Sequence, residues 1–357
     1  MADTHLGASR QRVWRYGVLP LIGVVAIAIL VLRVDVGSIL SELRGAELTW
    51  VLASAAALTI FYLVRAARWH LILGRRHPYT LVFWISSLGY LANNAAPGLG
   101  ELAKPWLLRR RRSVPFAAGM STVVLERLLD FWGLATIGLV SFVVLAVQGS
   151  SVPGWLLGVG AGVAGATTLI LIATFVAARN TDSVVSWIRR VLNRLPLSPR
   201  LAERVCDVID SLLAGAAILR SSLPTQIALF GSTWATWLIN ALAAYLAFRA
   251  VGLDPEPAVL VGGLMAVAVS QGLPAPPGYI GTYQAVWLLA YSGLGLGPEE
   301  KVLAAAIVSH GVILILTVTY GFLGLQSVLV SARELLSLRK EPRPAFAPAG
   351  LTSEEKP

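Results

Sequence analysis

Charge is scarce in this sequence. Only 13% of its 357 residues are Asp, Glu, Lys or Arg, whereas 56% are hydrophobic, and the mean hydropathy is +0.71. A soluble globular domain carries roughly 25% charged residues, so the composition excludes an ordinary soluble fold and indicates a membrane protein. Cysteine occurs once, at Cys206, which excludes an internal disulfide framework and a cysteine metal cluster. The histidines, His5, His70, His77 and His310, show no metal-ligand spacing, and no lysine sits in a Walker A motif, so no metal and no cofactor is expected. The formal charge of +10 is spread between apolar runs. It is a topology signal rather than a nucleic-acid surface, and no nucleic-acid partner is expected.

What is present is a series of apolar segments: 16–32, 48–64, 79–96, 116–147, 153–178, 224–250, 257–273, 279–294 and 302–330. About 20 helical residues cross the hydrocarbon of a bilayer. Arg10, Arg12 and Arg15 precede the first segment, and Arg33-Val34-Asp35 follows it with no small-x-small cleavage site, so it reads as a retained first span. With a cytoplasmic N-terminus, and with 79–107 entering and leaving on the cytoplasmic side, 24 Lys/Arg fall inside and 4 outside, leaving Arg127 within a span. This bias predicts cytoplasmic termini, a cytoplasmic Cys206 and an inner-membrane, multi-pass protein. Residues 1–330 form the membrane domain. Residues 179–223 are a cytoplasmic insert of two amphipathic helices split near Pro196–Pro199, and the Pro- and charge-rich tail 331–357 is expected to be disordered.

The stretch "SLGYLANNAAPGLGELAKPW" (87–106) interrupts an apolar run with Asn93, Asn94, Pro97, Gly98, Gly100 and Glu101. Seven residues of helix, 102–108, rise only about 10 Å, too little to cross a bilayer of roughly 30 Å. The stretch is therefore a re-entrant hairpin with a broken tip, and broken backbone at membrane depth must face protein or a water-filled cavity. A second break, "SQGLPAPPGYIGTYQ" (270–284), repeats the pattern: Pro277-Gly278 matches Pro97-Gly98, and Pro298 matches Pro115. Twelve residues after those last prolines stand His310 and Arg127. The expected fold is all-α and polytopic, with about six full spans and two re-entrant hairpins in an inverted repeat around a midplane site.

Three motifs in order, "NNAAPGLGELAKPWLL", "VVLERLLDFWGL" and "GLPAPPGYIGTYQA", resemble the lysylphosphatidylglycerol synthase transmembrane-region family, over roughly residues 15–330. The resemblance implies a flippase-like fold with Glu101 and Glu126-Arg127 as pattern positions. Full-length synthases add a soluble aminoacyl-transfer domain. Here about 27 residues follow the last apolar segment, so lysine transfer is not expected.

Glu126, Arg127 and Asp130 fall deep in one helix, where charges normally face a bundle interior or a cavity. Glu126 and Asp130 share a face, and Arg127 reaches Asp130 at i,i+3. Two readings stand: a self-neutralising lock between helices, or a seat for a lipid headgroup in which Arg127 binds phosphate bidentately. The expected binding residues are Asn93, Asn94, Glu101, Glu126, Arg127, Asp130, Gln271, Tyr279, Tyr283 and His310, with Pro97, Gly98, Gly100, Pro277, Gly278 and Gly281 shaping the tips. Arg65, Arg68, Arg75 and Arg76 read as topology anchors, and Gly154, Gly158 and Gly162 as a close-packing face, within the chain or in a homodimer.

The function expected from this pattern is translocation of a lipid or lipid-linked saccharide, anionic or polyprenyl-phosphate-linked, by a protein that is not an enzyme. Two alternatives stand beside it. A polyprenyl-phosphate glycosyltransferase would need an external acidic pair, for which Asp35 and Asp254-Pro255-Glu256 are poor candidates; a scaffold for envelope assembly would bind lipid without moving it.

Overall fold

A computed structural model describes residues 36–149, 154–194, 198–270 and 275–328. The expected first span 16–32, Gln271 and the tail 331–357 lie outside the described residues. Among those residues the chain is helical: α1 (Val36–Arg44), α2 (Leu48–Ile72), α3 (Tyr79–Ala95), α4 (Leu99–Arg112), α5 (Phe116–Val147), α6 (Gly154–Arg179), α7 (Thr181–Leu192), α8 (Pro199–Gly215), α9 (Leu223–Ala250), α10 (Pro257–Ser270), α11 (Thr282–Gly293) and α12 (Glu299–Ser327). Short 3₁₀ turns occupy Ala216–Arg220 and Pro277–Tyr279.

Five stretches are long and apolar enough to cross a membrane: α2, α5, Gly160–Arg179 of α6, α9 and α12. They carry large apolar side chains on their outer faces, such as Val140 and Val147 on α5 and Leu169 and Ile172 on α6, as lipid-facing helices do. The other apolar helices come as two short pairs, α3–α4 and α10–α11, and each pair is a hairpin whose ends lie together. At the first, His77 is close enough to Arg112 to feel its charge; partial burial, then Arg112, His70 and Arg76, hold its imidazole below the ordinary range. At the second, the Tyr291 hydroxyl donates to the Leu260 carbonyl at 2.9 Å. At about 1.5 Å per residue, the 14 residues of α4 span roughly 21 Å, short of a bilayer.

The tips break for the reasons the sequence predicts. Pro97 forces Ala96 out of helix (φ −157°, ψ 123°), and Gly98 then turns the chain in the left-handed region at φ 81°. Gly278 at φ 68° and Gly281 at φ 84° do the same in the second tip. Pro115 and Pro298 stand immediately before α5 and α12.

The two units α2–α5 and α9–α12 repeat one order of elements: a long helix, a short hairpin and a second long helix. Their first helices pack antiparallel: the Glu47 N–H donates to the Ala250 carbonyl at 2.9 Å, and the Ser54 hydroxyl to the Ala243 carbonyl at 2.8 Å. The first arm of each hairpin packs on the long helix that follows the other hairpin, α3 on α12 and α10 on α5. Gly321 and Gly324 meet Leu91 and Leu88, while Gly138 and Gly262 meet Met265 and Phe142. Each unit has its own core, one around Trp69, Leu88, Leu107 and Leu129, the other around Phe248, Trp287, Tyr291 and Val302.

Among the described residues nothing lies within 4 Å of where a Cβ on Gly98 would be, so its constraint is conformational. The tight contact is two residues on, where a Cβ on Gly100 would sit 2.2 Å from the Gly89 carbonyl oxygen. One expectation needs correction: among the described residues nothing lies within 4 Å of where a Cβ on Gly158 or Gly162 would be, so these two glycines form no close-packed face there.

Gly100→Ala should therefore be worse than Gly98→Ala. The first must push apart the two arms of the hairpin, while the second costs about 1–2 kcal/mol of backbone strain. The thermal midpoint of the purified protein is the measure, and equal midpoints would refute the crossing. Sidedness has its own test. Cys206 is buried and is a poor reporter, so it is replaced by alanine, and a cysteine is placed at exposed Ser183 in α7 or exposed Glu256 before α10. In intact cells an impermeant maleimide should label Glu256→Cys and spare Ser183→Cys until the membrane is permeabilised. The reverse pattern would invert the topology.

Candidate functional site

The site is built on α5. Glu126 and Asp130, one helical turn apart, point into the protein and are buried, while Arg127 between them turns to a different face. Arg65 and Arg68, three apart on α2, close over both carboxylates. Arg65 Nη2 donates to Asp130 Oδ2 at 2.6 Å and Arg68 Nη2 to Asp130 Oδ1 at 2.5 Å. Their other contacts reach Glu126 at 3.5 Å and 3.7 Å. From the first hairpin, Lys104 Nζ donates to Glu126 Oε2 and lies 4.1 Å from the Trp69 ring centroid, a cation–π contact. Arg127 Nη1 lies 3.2 Å from Asp130 Oδ2, and its Nε lies 3.7 Å from Glu101 Oε1. Helix α9 joins through the Trp237 indole, which donates to the Asp130 carbonyl at 3.1 Å.

Two sequence expectations change here. Arg65 and Arg68 are not topology anchors: Arg68 is fully buried, and both are partners of Asp130. Lys104, counted with the cytoplasmic bases, is 2% exposed. The signal that could have found the arginines is that "RAARWHLI" (65–72) continues the helix with Ala66, Trp69 and Ile72 as buried positions. A hydropathy boundary at residue 64 cut it off.

The hairpin tips tie into the long helices in the same way in both units. In the first, the Gly100 N–H donates to Asn93 Oδ1 at 2.7 Å, and Asn93 Nδ2 donates to Glu101 Oε1 at 3.3 Å, which faces Arg127. In the second, the Gly281 N–H donates to Gln284 Oε1 at 2.9 Å, and Gln284 Nε2 lies 2.9 Å from His310 Nδ1. With its oxygen engaged, the Gln284 amide presents N–H to the ring. Nδ1 then accepts and the imidazole proton sits on Nε2. His310 also hydrogen-bonds the backbone of Gly278 and stacks on Tyr283 at 4.5 Å.

Between the tips lies a cavity of about 160 Å3. Of the residues expected to bind substrate, Asn93, Asn94, Arg127, Tyr279, Tyr283 and His310 line it. Glu101 stands behind Arg127. Glu126 and Asp130 do not reach the wall; Lys104 and the arginines occupy them. Sequence reasoning missed Arg65, Tyr62, Tyr90, Trp237 and Asn240, which also line the cavity. Arg65 and Arg68, Lys104 and Arg127 face three carboxylates, Glu101, Glu126 and Asp130. One positive charge is left over, and Arg65 and Arg127 carry it to the cavity wall.

Fold and site together define a multi-pass α-helical membrane protein with a cationic intramembrane cavity at the meeting of two inverted hairpins. The family model for the lysylphosphatidylglycerol synthase TM region matches residues 18–321, and the chain belongs to that family. It is similar to Glycosyltransferase AglD of Haloferax volcanii, 26% identical over 87% of this chain and 54% of that protein, so it spans about half of that relative's length. It is also similar to UPF0104 membrane proteins of Methanothermobacter thermautotrophicus. One is 24% identical over 77% of this chain and 84% of the relative, another 23% over 70% and 75%. No solved structure matches the chain. The glycosyltransferase name overturns the expectation that a protein of this pattern is not an enzyme; charge and hydropathy carry no information on whether a membrane cavity also serves catalysis.

The network separates structural charges from exposed ones, and variants should show it. Glu126→Gln leaves Lys104 and Arg68 buried and under-compensated, at a cost of about 3–5 kcal/mol, read as a large fall in thermal midpoint. Arg127→Lys keeps a positive charge beside Glu101 and Asp130; the Glu101 bridge is about one-third exposed on both sides, and such pairs are worth about 0–1 kcal/mol, while buried Asp130 keeps Arg65 and Arg68 as partners. Its midpoint should hardly move. A stable Glu126→Gln protein would mean the cluster is not what joins α2, α4 and α5.

Proposed function

We propose that the cavity seats the phosphate of a membrane lipid headgroup, and that the chain works on a polyprenyl-phosphate-linked saccharide in glycosyl transfer. The observation that carries the lipid-phosphate part is the charge imbalance: among the described residues four cations meet three carboxylates, and the partly exposed Arg127 stands with Arg65 on the cavity wall. A phosphate supplies the missing negative charge, and a guanidinium offers it paired donors in a plane. The cavity lies among the apolar spans, where a lipid presents its head while its tails stay in hydrocarbon. The saccharide and transfer parts are supported by the name of the relative AglD.

A second reading, movement of the lipid between leaflets, is favoured by one feature. The cavity lies between two hairpins of opposite orientation, the arrangement of alternating-access transporters. The residues that seat a phosphate are the same in both readings, so the test has three arms. The purified protein is reconstituted in liposomes with a polyprenyl-phosphate-linked sugar, and binding, sugar transfer to an acceptor and leaflet exchange are measured separately.

Arg127→Lys and Arg127→Gln should both weaken binding by roughly tenfold or more, the worth of one or two charge-assisted hydrogen bonds. Transfer without leaflet exchange supports the first reading, and exchange without transfer supports the second. Normal binding by both Arg127 variants would refute the phosphate seat on which both rest.

A further inference from the structure

Most polar side chains of the cavity are already engaged by the protein. Asn93 holds the first tip, His310 holds the second, and the Tyr62 hydroxyl is 2.8 Å from Thr317 Oγ1. Two carboxamides on the wall are different. Asn94, at the end of α3, and Asn240, on α9, make no hydrogen bond or ion pair among the described residues. The Tyr90 hydroxyl, on another part of the wall, is buried and has no partner among the described residues either, although its ring lies 5.4 Å from the Arg65 guanidinium carbon. Polar groups at membrane depth are costly unless something satisfies them, so three idle groups around one cavity point to an occupant.

The chemistry of the idle groups identifies that occupant. A carboxamide both donates and accepts. A bare phosphate only accepts and an ammonium only donates, so neither uses a carboxamide fully. A hydroxyl does both. Asn94 belongs to the first unit and Asn240 to the second, so a group held by both bridges the inverted halves. A cavity of about 160 Å3 is below the roughly 300–1,000 Å3 of pockets that enclose drug-sized ligands, which limits the occupant to a small headgroup.

We infer that Asn94 and Asn240 form a polyol subsite: they read the hydroxyl groups of the headgroup beyond the phosphate, and so select lipids whose phosphate bears a hydroxylated ring or chain over lipids with a bare phosphate. This rests on the phosphate seat proposed above. Asn94→Ala and Asn240→Ala remove no protein–protein hydrogen bond, so their thermal midpoints should match the unaltered chain. Binding to the detergent-purified full chain is measured by native mass spectrometry for phosphatidylinositol, which has a polyol ring, and for phosphatidic acid, which has none. Each Asn variant should weaken phosphatidylinositol by about three- to tenfold, the worth of one or two neutral hydrogen bonds, and phosphatidic acid by less than about twofold. Arg127→Gln should weaken both lipids. If the Asn variants weaken both lipids equally, or neither, while Arg127→Gln weakens both, the subsite is wrong and the phosphate seat stands. If Arg127→Gln weakens neither lipid, the phosphate seat is wrong and the subsite falls with it.

Discussion

The polar interior of this protein depends on two carboxylates one helical turn apart. Glu126 and Asp130 draw Arg65 and Arg68 from α2, Lys104 from α4 and Arg127 from their own helix into one network. An isolated charge at membrane depth is expensive, and so is each of these taken alone. Together they satisfy one another, and the requirement that they do so fixes where α2, the first hairpin and α5 sit. Hydrophobic packing cannot supply that register in lipid, because lipid tails are as apolar as leucine. The network is therefore the specific joint of the first unit, and the small-residue crossings, Gly89 on Gly100 and Gly119 on Pro105, bring the backbones close enough for the side chains to meet.

The second unit uses the same scaffold without the charges. Its hairpin tip is held by Gln284 and a His310 that serves as acceptor to one neighbour. Its packing is aromatic: Tyr283, Trp287, Tyr291 and Phe248 meet in tilted and edge-on pairs at centroid distances of 4.8–5.5 Å. The two units thus share one order of elements and differ in electrostatics. An anionic ligand between the units has a cationic wall on one side and a neutral, aromatic and amide-bearing wall on the other. On the phosphate seat proposed above, that polarity would orient a headgroup, which a symmetric cavity would not do.

Much of this was legible in the sequence. The proline–glycine breaks, the matched prolines before α5 and α12 and the lengths of the apolar runs depend on local chemistry, and local chemistry is written residue by residue. The same is true of Arg127 and His310, whose positions twelve residues past equivalent prolines place both on the cavity wall. What was not legible is partnership. Lys104 belongs to a run of bases, Lys104 and Arg109–Arg112, that reads as a cytoplasmic flank, and nothing local separates the buried Lys104 from the four arginines that follow it. Only the approach of α4 to α5 does. Arg65 and Arg68 likewise look like the basic end of a span until the helix is seen to run on to Ile72. Gly98 and Gly100 are both glycines in one motif, yet one is needed for its dihedral angle and the other for its missing side chain.

The cavity wall shows why the hairpins are broken where they are. Asn93 and Asn94 come from the last turn before the first break, and Tyr279 from the second break itself. An unbroken helix at either place would satisfy its own backbone and offer only side-chain faces. A broken one leaves backbone groups that must be met by amides, and those amides, Asn93 and Gln284, in turn hold Glu101 behind Arg127 and His310 on the cavity wall. Breaking the helices thus couples tip geometry to the cavity wall: a shift of either tip moves the amide, and the amide moves the group it holds. In the first unit that group is Glu101, which shares Arg127 with Asp130. A phosphate seated as proposed above would compete for the same guanidinium, which would link ligand charge to tip position through a single partly exposed arginine, while the fully buried part of the network stays paired behind it.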